Sequence, residues 1–299
     1  MKPFTGLSAF PLTPLYEQRI DERAFGVLVE RAVVAGVDSI TALGSTGSYA
    51  YLNRSERARV TQLAVSHAGK VPVIAGIGAV RTRDVLDLAE DAQAAGVAGV
   101  LLAPVSYQAL TTDDVFGLYE DVTAILSVPL VVYDNPGTTH FTFTRDLYQA
   151  IAALPNVASI KIPGVPPTTA DAAAHLASLR EVLPPQLSVG VSGDVVGATG
   201  LSAGCDVWYS ALGGTLPERT VAITRAAQAG DAALASELSE QLRPIWQLFA
   251  AHGSIRVTAA IAEELGLASR SCLPLPIRGL PDSARADVLA ALIKIGETA

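Results

Sequence analysis

Charge is scarce in this sequence, and lysine is scarcest of all, with four in 299 residues. Only 17% of the residues are charged, the net charge is −8, and neither Lys nor Arg clusters anywhere. That excludes the basic footprint of a nucleic-acid surface and points to small molecules as partners. No apolar run approaches the roughly 20 residues of a bilayer span, so the hydrophobic content, 50% of the chain, is assigned to a buried core. The opening Met1-Lys2-Pro3-Phe4-Thr5-Gly6 lacks the basic segment followed by an apolar stretch of a secretory signal, and the expectation is a soluble, cytoplasmic protein. Cysteine is nearly absent. Cys205 and Cys272 lie far apart among small or apolar neighbours, as ordinary core residues do. The histidines, His67, His140, His175 and His252, are scattered without ligand spacing, so no metal is expected.

What is present is a rhythm. Eight short β-rich apolar runs lie near Gly6–Phe10, Ser39–Leu43, Val73–Ile77, Gly99–Ala103, Leu130–Tyr133, Ala158–Ile162, Leu187–Val191 and Val207–Ser210. Between them come amphipathic segments such as Glu22–Ala35, Ser55–Ala68, Thr82–Ala95, Asp113–Leu126 and Thr144–Leu154. Ala35-Gly36-Val37, Ala95-Gly96-Val97 and Ala203-Gly204-Cys205 each end a helix just before a strand, with Gly free to take φ > 0. Eight βα units favour a closed α/β barrel, a (β/α)8 TIM barrel, over residues 1–230. After Pro217 the pattern is wholly helical (Glu218–Ala229, Ala232–Ala251, Ile255–Leu265, Ser283–Ile295), giving a C-terminal helical extension over residues 231–299. A doubly wound open sheet is the competing architecture, but no Gly-x-Gly-x-x-Gly follows the first strand.

In a parallel barrel the chemistry sits at the C-terminal ends of the strands. Four candidates stand there: the turn Gly44-Ser45-Thr46-Gly47, Tyr107, Tyr133 and Lys161. Lys2, Lys70 and Lys294 occupy a terminus, a turn and a last surface helix, whereas Lys161 interrupts the apolar run Val157–Pro163. Burial there disfavours the ammonium form and supplies the neutral amine that carbonyl addition needs. The competing reading is a lysine snorkelling from a strand end or paired with a buried carboxylate. The Gly44–Ser48 turn offers consecutive N–H groups and hydroxyls suited to a carboxylate, and is also ordinary loop composition.

Gly44-Ser45-Thr46-Gly47, Val132-Tyr133-Asp134-Asn135-Pro136, Ser159-Ile160-Lys161 and Ser192-Gly193-Asp194 resemble, in order and spacing, the dihydrodipicolinate synthase and N-acetylneuraminate lyase family. The resemblance covers essentially the whole chain. It implies a class I lyase or aldolase that binds pyruvate or a related 2-oxo acid as a Schiff base on Lys161 and needs no other cofactor. Tyr133 would carry protons, and Ser45, Thr46 and Gly47 would hold the carboxylate. A tyrosine at the position of Tyr107 would cross a subunit interface to join the relay with Tyr133 and a hydroxyl of the turn, assigned to Thr46. The resemblance also implies a homotetramer built from tight dimers, and adds Thr138, Ser192, Gly193 and Asp194 to the substrate-contacting set, which Tyr209 joins from its place at the end of strand eight.

The sequence departs from the family in places. Ser48 and Tyr49 follow Gly47 where the family usually has Glu, and Thr138 stands where dihydrodipicolinate synthases carry an arginine for the second substrate's carboxylate. A Thr hydroxyl does not replace an Arg–carboxylate fork, which leaves the aldehyde partner undetermined. Sialic acid lyases place a Thr soon after the lysine and an acidic pair after strand seven; this chain has Pro163-Gly164 and a single Asp194. Asp194 binds a substrate hydroxyl or caps the helix after Gly193. His140 either contacts a distal substrate group or is a surface loop residue, and Trp208 and Tyr209 either narrow the pocket or pack the rim. The alternatives are a true 4-hydroxy-tetrahydrodipicolinate synthase and, in another class, a ligand-binding barrel without turnover.

Overall fold

Apolar strands of four to six residues can bury both faces only if one face meets helices and the other meets its fellow strands around a closed ring. In the computed structural model, which describes residues 4–297, that ring is built from β1 (Gly6–Ala9), β2 (Ser39–Ala42), β3 (Val73–Gly76), β4 (Gly99–Leu102), β5 (Leu130–Tyr133), β6 (Val157–Ile162), β7 (Ser188–Val191) and β8 (Val207–Ser210). All are parallel, and β1 pairs with both β2 and β8, closing the barrel. Lys2, read above as a terminal lysine, lies outside the described residues.

Alternation along each strand sorts the side chains into two cores. Ile40, Val100, Leu102, Val132, Ile160, Ile162, Val189 and Val191 face the helices, whereas Ile74, Leu101, Val131, Tyr133, Val207 and Tyr209 fill the interior with Phe4 and Phe10. The interior also holds paired hydroxyls: Ser8 with Thr41 at 2.7 Å, and Ser159 with Tyr209 at 2.8 Å. Each pair satisfies polar groups that burial would otherwise penalise.

The barrel helices are α1 (Glu22–Ala35), α2 (Arg54–His67), α3 (Thr82–Ala94), α4 (Thr112–Thr123), α5 (Arg145–Ala152), α6 (Thr169–Arg180), α7 (Gly197–Ser202) and α8 (Pro217–Gln228). Their starts are written in capping residues: Asp21, Thr144 and Thr168 accept a first-turn N–H, and Asn53 with Glu56 and Thr111 with Asp114 form capping boxes. Gly36, at φ 83°, ends α1 by bonding back to Ala32 and Val33.

Four further helices follow, α9 (Ala232–Gln241), α10 (Arg243–His252), α11 (Ser254–Glu264) and α12 (Asp282–Lys294). The single helix expected over Ala232–Ala251 is therefore two. Pro244 has no N–H to continue the ladder and sits in the first turn of α10, and Trp246 Nε1 donates to Ser239 O at 2.9 Å across the break. Cys272 and Leu273 pack with Leu12, Leu28, Ala259 and Ala262, and Leu15 N–H donates to Cys272 O at 2.8 Å, fastening the C-terminal region to the chain's start. Both cysteines are free and buried, as read from their neighbours. Among the described residues, no helix is long and apolar enough to cross a membrane, and no group of three His, Cys, Asp or Glu residues is placed to hold a metal.

Candidate active site

Lys161 lies between Ile160 and Ile162, both of which face the helices, so strand alternation turns its side chain into the barrel. It is 4% exposed. Its Nζ lies 4.4 Å from the ring centroid of Phe10, 4.5 Å from that of Tyr133 and 5.6 Å from that of Tyr209. Burial drives its pKa down from 10.5 to about 7, against an opposing pull from the Asp194 charge. Near neutral pH a sizeable fraction is thus free amine, the nucleophilic form.

Tyr133 pairs in register with Lys161, and Lys161 pairs with Gly190 on the next strand. The three sit in one row around the ring. The Tyr133 hydroxyl lies 3.2 Å from Ser45 Oγ and accepts from Asn135 Nδ2 at 2.8 Å. Burial raises its pKa above the usual phenol value, with the Ser45 and Asn135 bonds opposing, so at neutral pH it holds a proton to give. Tyr209 reaches down to Ser159, and Gly190 makes room for it: a Cβ on Gly190 would stand 2.3 Å from the Tyr209 ring.

The turn after β2 is held in a conformation few side chains tolerate. Leu43 and Ser48, at φ 58° and 55°, bracket Gly44-Ser45-Thr46-Gly47 in the left-handed region. A Cβ at Gly76 would collide with Leu43 O at 1.9 Å, so β3 can approach the turn only with glycine there. Ser45 is half-buried and Thr46 is buried beside it.

The structure brings Lys161, Tyr133, Ser45 and Tyr209 together. Of the two hydroxyls of the turn, Ser45 rather than Thr46 lies against Tyr133, because successive residues of a tight turn point in different directions. Asn135 was missed, although it lies two residues after Tyr133 and so on the same face of an extended segment. Phe10, just past β1, was missed as well.

Asp194 does not cap the helix that follows it. It is 6% exposed, and its carboxylate accepts from the Ser210 hydroxyl and from the amides of Ala211 and Leu212, each at 3.3 Å. It therefore ties the turn after β7 to the turn after β8 instead of capping the helix that follows Gly193. Burial raises its pKa and those bonds oppose the rise. Trp208 points away from the pocket, its ring 2.3 Å from where a Cβ on Gly197 would stand, while Tyr209 points in. Alternation separates the two.

The remaining candidates lie on the rim. Thr138 is exposed, its hydroxyl 3.4 Å from Asn135 O; Ser192 is half-buried with Oγ 3.5 Å from Pro163 O; Gly193 is exposed at φ 82°. His140 is an exposed left-handed residue after the single helical turn Pro136–Thr139. Tyr107 is 90% exposed and within this chain makes no contact with Tyr133. Asp134, whose neighbours in sequence face the pocket, turns outward and accepts from the Tyr148 hydroxyl at 2.5 Å. Burial lifts it to about 6.

The model of the dihydrodipicolinate synthetase family matches residues 3–295. A 4-hydroxy-tetrahydrodipicolinate synthase of Phenylobacterium zucineum is 31% identical over 300 residues, covering 98% of each chain. The crystal structure of a dihydrodipicolinate synthase from Agrobacterium tumefaciens is 43% identical, with a TM-score of 0.94 over 98% of this chain and 99% of that one. The chloride-inhibited dihydrodipicolinate synthase of Acinetobacter baumannii, complexed with pyruvate, shares the fold at 24% identity, with a TM-score of 0.88 over 98% and 99% of the two chains.

Proposed function

The chain belongs to the dihydrodipicolinate synthetase family of lyases, and on that premise we propose that it joins or cleaves a carbon–carbon bond beside the carbonyl of pyruvate or a related 2-oxo acid held on Lys161. The observation that supports this most is a buried lysine amine, a sizeable fraction of it neutral, beside a protonated phenol that is itself held by two partners. The free amine adds to the keto carbon, giving a carbinolamine. Tyr133 donates a proton to the departing hydroxyl, water leaves, and the C=N⁺ bond forms. The iminium then accepts electrons from the adjacent carbon, either when a proton leaves it to give an enamine that attacks an aldehyde, or when an existing bond to an aldehyde carbon breaks. No external cofactor takes part in this scheme. The amides and hydroxyls of Ser45, Thr46 and Gly47 hold the substrate carboxylate, with Ser45 serving the relay too.

Tyr107, solvent-exposed in one chain, takes the relay position in a neighbouring subunit of a homotetramer made of tight dimers. The aldehyde is set by the loop after β5, where Thr138 presents a neutral hydroxyl. Borohydride reduction in the presence of pyruvate should add a stable pyruvyl mass to Lys161, and Lys161→Ala should abolish the adduct with the fold retained. An adduct on Lys2, Lys70 or Lys294, or none at all, would refute the assignment.

A further inference from the structure

The ring of Phe10 has no place in the proton relay or in the carboxylate turn, yet it stands as close to the reacting nitrogen as Tyr133 does. Phe10 follows β1 directly, is 2% exposed, and its N–H donates to Ser210 O at 2.9 Å. Two neighbours fix the ring. On one side lies Gly44, where a Cβ would come within 2.4 Å of it; on another, Tyr209 meets it edge-to-face at 6.0 Å and 84°. Both lie against the ring in the position in which it meets Lys161.

The charge to be accommodated is considerable. When the amine and the keto acid lose water, one proton is taken up and the product nitrogen is cationic, whereas the attacking amine was neutral. Among the described residues no carboxylate forms an ion pair with Lys161 within 4.0 Å; the Asp194 charge acts on it from further away, its oxygens bonded to Ser210, Ala211 and Leu212. What surrounds the nitrogen at close range is aromatic: Phe10, Tyr133 and Tyr209. The face of such a ring carries a negative quadrupole that attracts a cation, most strongly where water is excluded.

We propose that Phe10 is a further catalytic residue: with Tyr133 and Tyr209 its ring forms an aromatic cage that stabilises the cationic iminium nitrogen on Lys161. This rests on the reading of Lys161 as the Schiff-base amine and assigns that site a means of holding its charge. An aliphatic residue of equal bulk would plug the barrel without supplying the field.

The test separates field from bulk by placing 4-fluoro- and pentafluorophenylalanine at position 10, beside Phe10→Leu. The readout is the pyruvate concentration that gives half-maximal borohydride trapping on Lys161, measured by mass spectrometry of the full-length protein, with thermal unfolding as the control for packing. Fluorination drains the ring face with little change of shape. The half-saturating concentration should rise in step with fluorine content and reach about 30-fold for the pentafluoro ring, the size of a desolvated cation–π contact. A flat fluorine series, whatever Phe10→Leu does, would overturn the cage. An unaltered protein that traps no pyruvate fails the Schiff-base reading and this proposal with it; one that traps it with a flat series fails this proposal alone.

Discussion

The burial that frees the Lys161 amine also carries a cost in stability. The unfolded chain holds the Lys161 proton up to about pH 10.5, but the folded protein releases it near pH 7 because burial disfavours the ammonium. As pH falls from above 10.5, the unfolded state takes up a proton that the folded state refuses, so stability declines through that window and levels off below about 7. The penalty at neutral pH is a few kcal/mol. Lys161→Met, close in volume and uncharged, should therefore raise the thermal midpoint at pH 7, with a margin that narrows toward pH 10.5; equal midpoints at pH 7 would mean that the amine keeps its proton on folding. Tyr133→Phe should slow turnover by roughly 100-fold, the usual worth of a positioned acid, with little change in unfolding; an unimpaired variant would reduce Tyr133 to packing. At the rim, Thr138→Arg should raise efficiency with aspartate semialdehyde by about 100-fold in a coupled assay, since a charge-assisted fork replaces one neutral hydroxyl. High efficiency in the unaltered protein would restore the conventional synthase reading. Lys161 was legible because it is a lone charge in an apolar strand. Phe10 was not, because nothing in a sequence distinguishes an aromatic residue that plugs a barrel from one that faces a nitrogen.

Helices and strands were legible where local chemistry decides them and less so where a distant partner does. The capping residues Asp21, Thr111, Thr144 and Thr168 and the terminating Gly36 act within one turn of their own position, and the strand runs fall where alternation put them. The break between α9 and α10 was written in Pro244, but an apolar rhythm carried across it hid the signal. Asp194 looked like a helix cap because its true partners, Ser210 and the following amides, lie 16 to 18 residues further on. Gly190 shows the same dependence on distant structure. It is a strand glycine with no turn to make, and its reason is the Tyr209 ring resting where a Cβ would be. Gly190→Ala should push that ring aside, destabilising the protein by about 1–3 kcal/mol in denaturant unfolding and weakening pyruvate trapping together. A variant with normal trapping and stability would show that the ring can shift freely.

Over the whole molecule, one end of the barrel is conspicuously apolar for a surface. Tyr51, Val80 and Tyr107, on the loops after β2, β3 and β4, are 50%, 62% and 90% exposed. If a neighbouring subunit covers them, light scattering should give the mass of a dimer or tetramer, and Tyr107→Phe should slow the chemistry while leaving that mass unchanged. A fully active monomer would remove Tyr107 from the relay. The architecture was readable from eight repeated units, whereas any contact between copies leaves no periodic trace in one chain. The row formed by Tyr133, Lys161 and Gly190 is fixed by the ladder of main-chain hydrogen bonds, while Thr138 and His140 sit on an exposed loop that touches none of that ladder. Substitution can then act on two parts separately: a change along the row disturbs the closure of the ring, whereas a change at Thr138 or His140 leaves that closure intact.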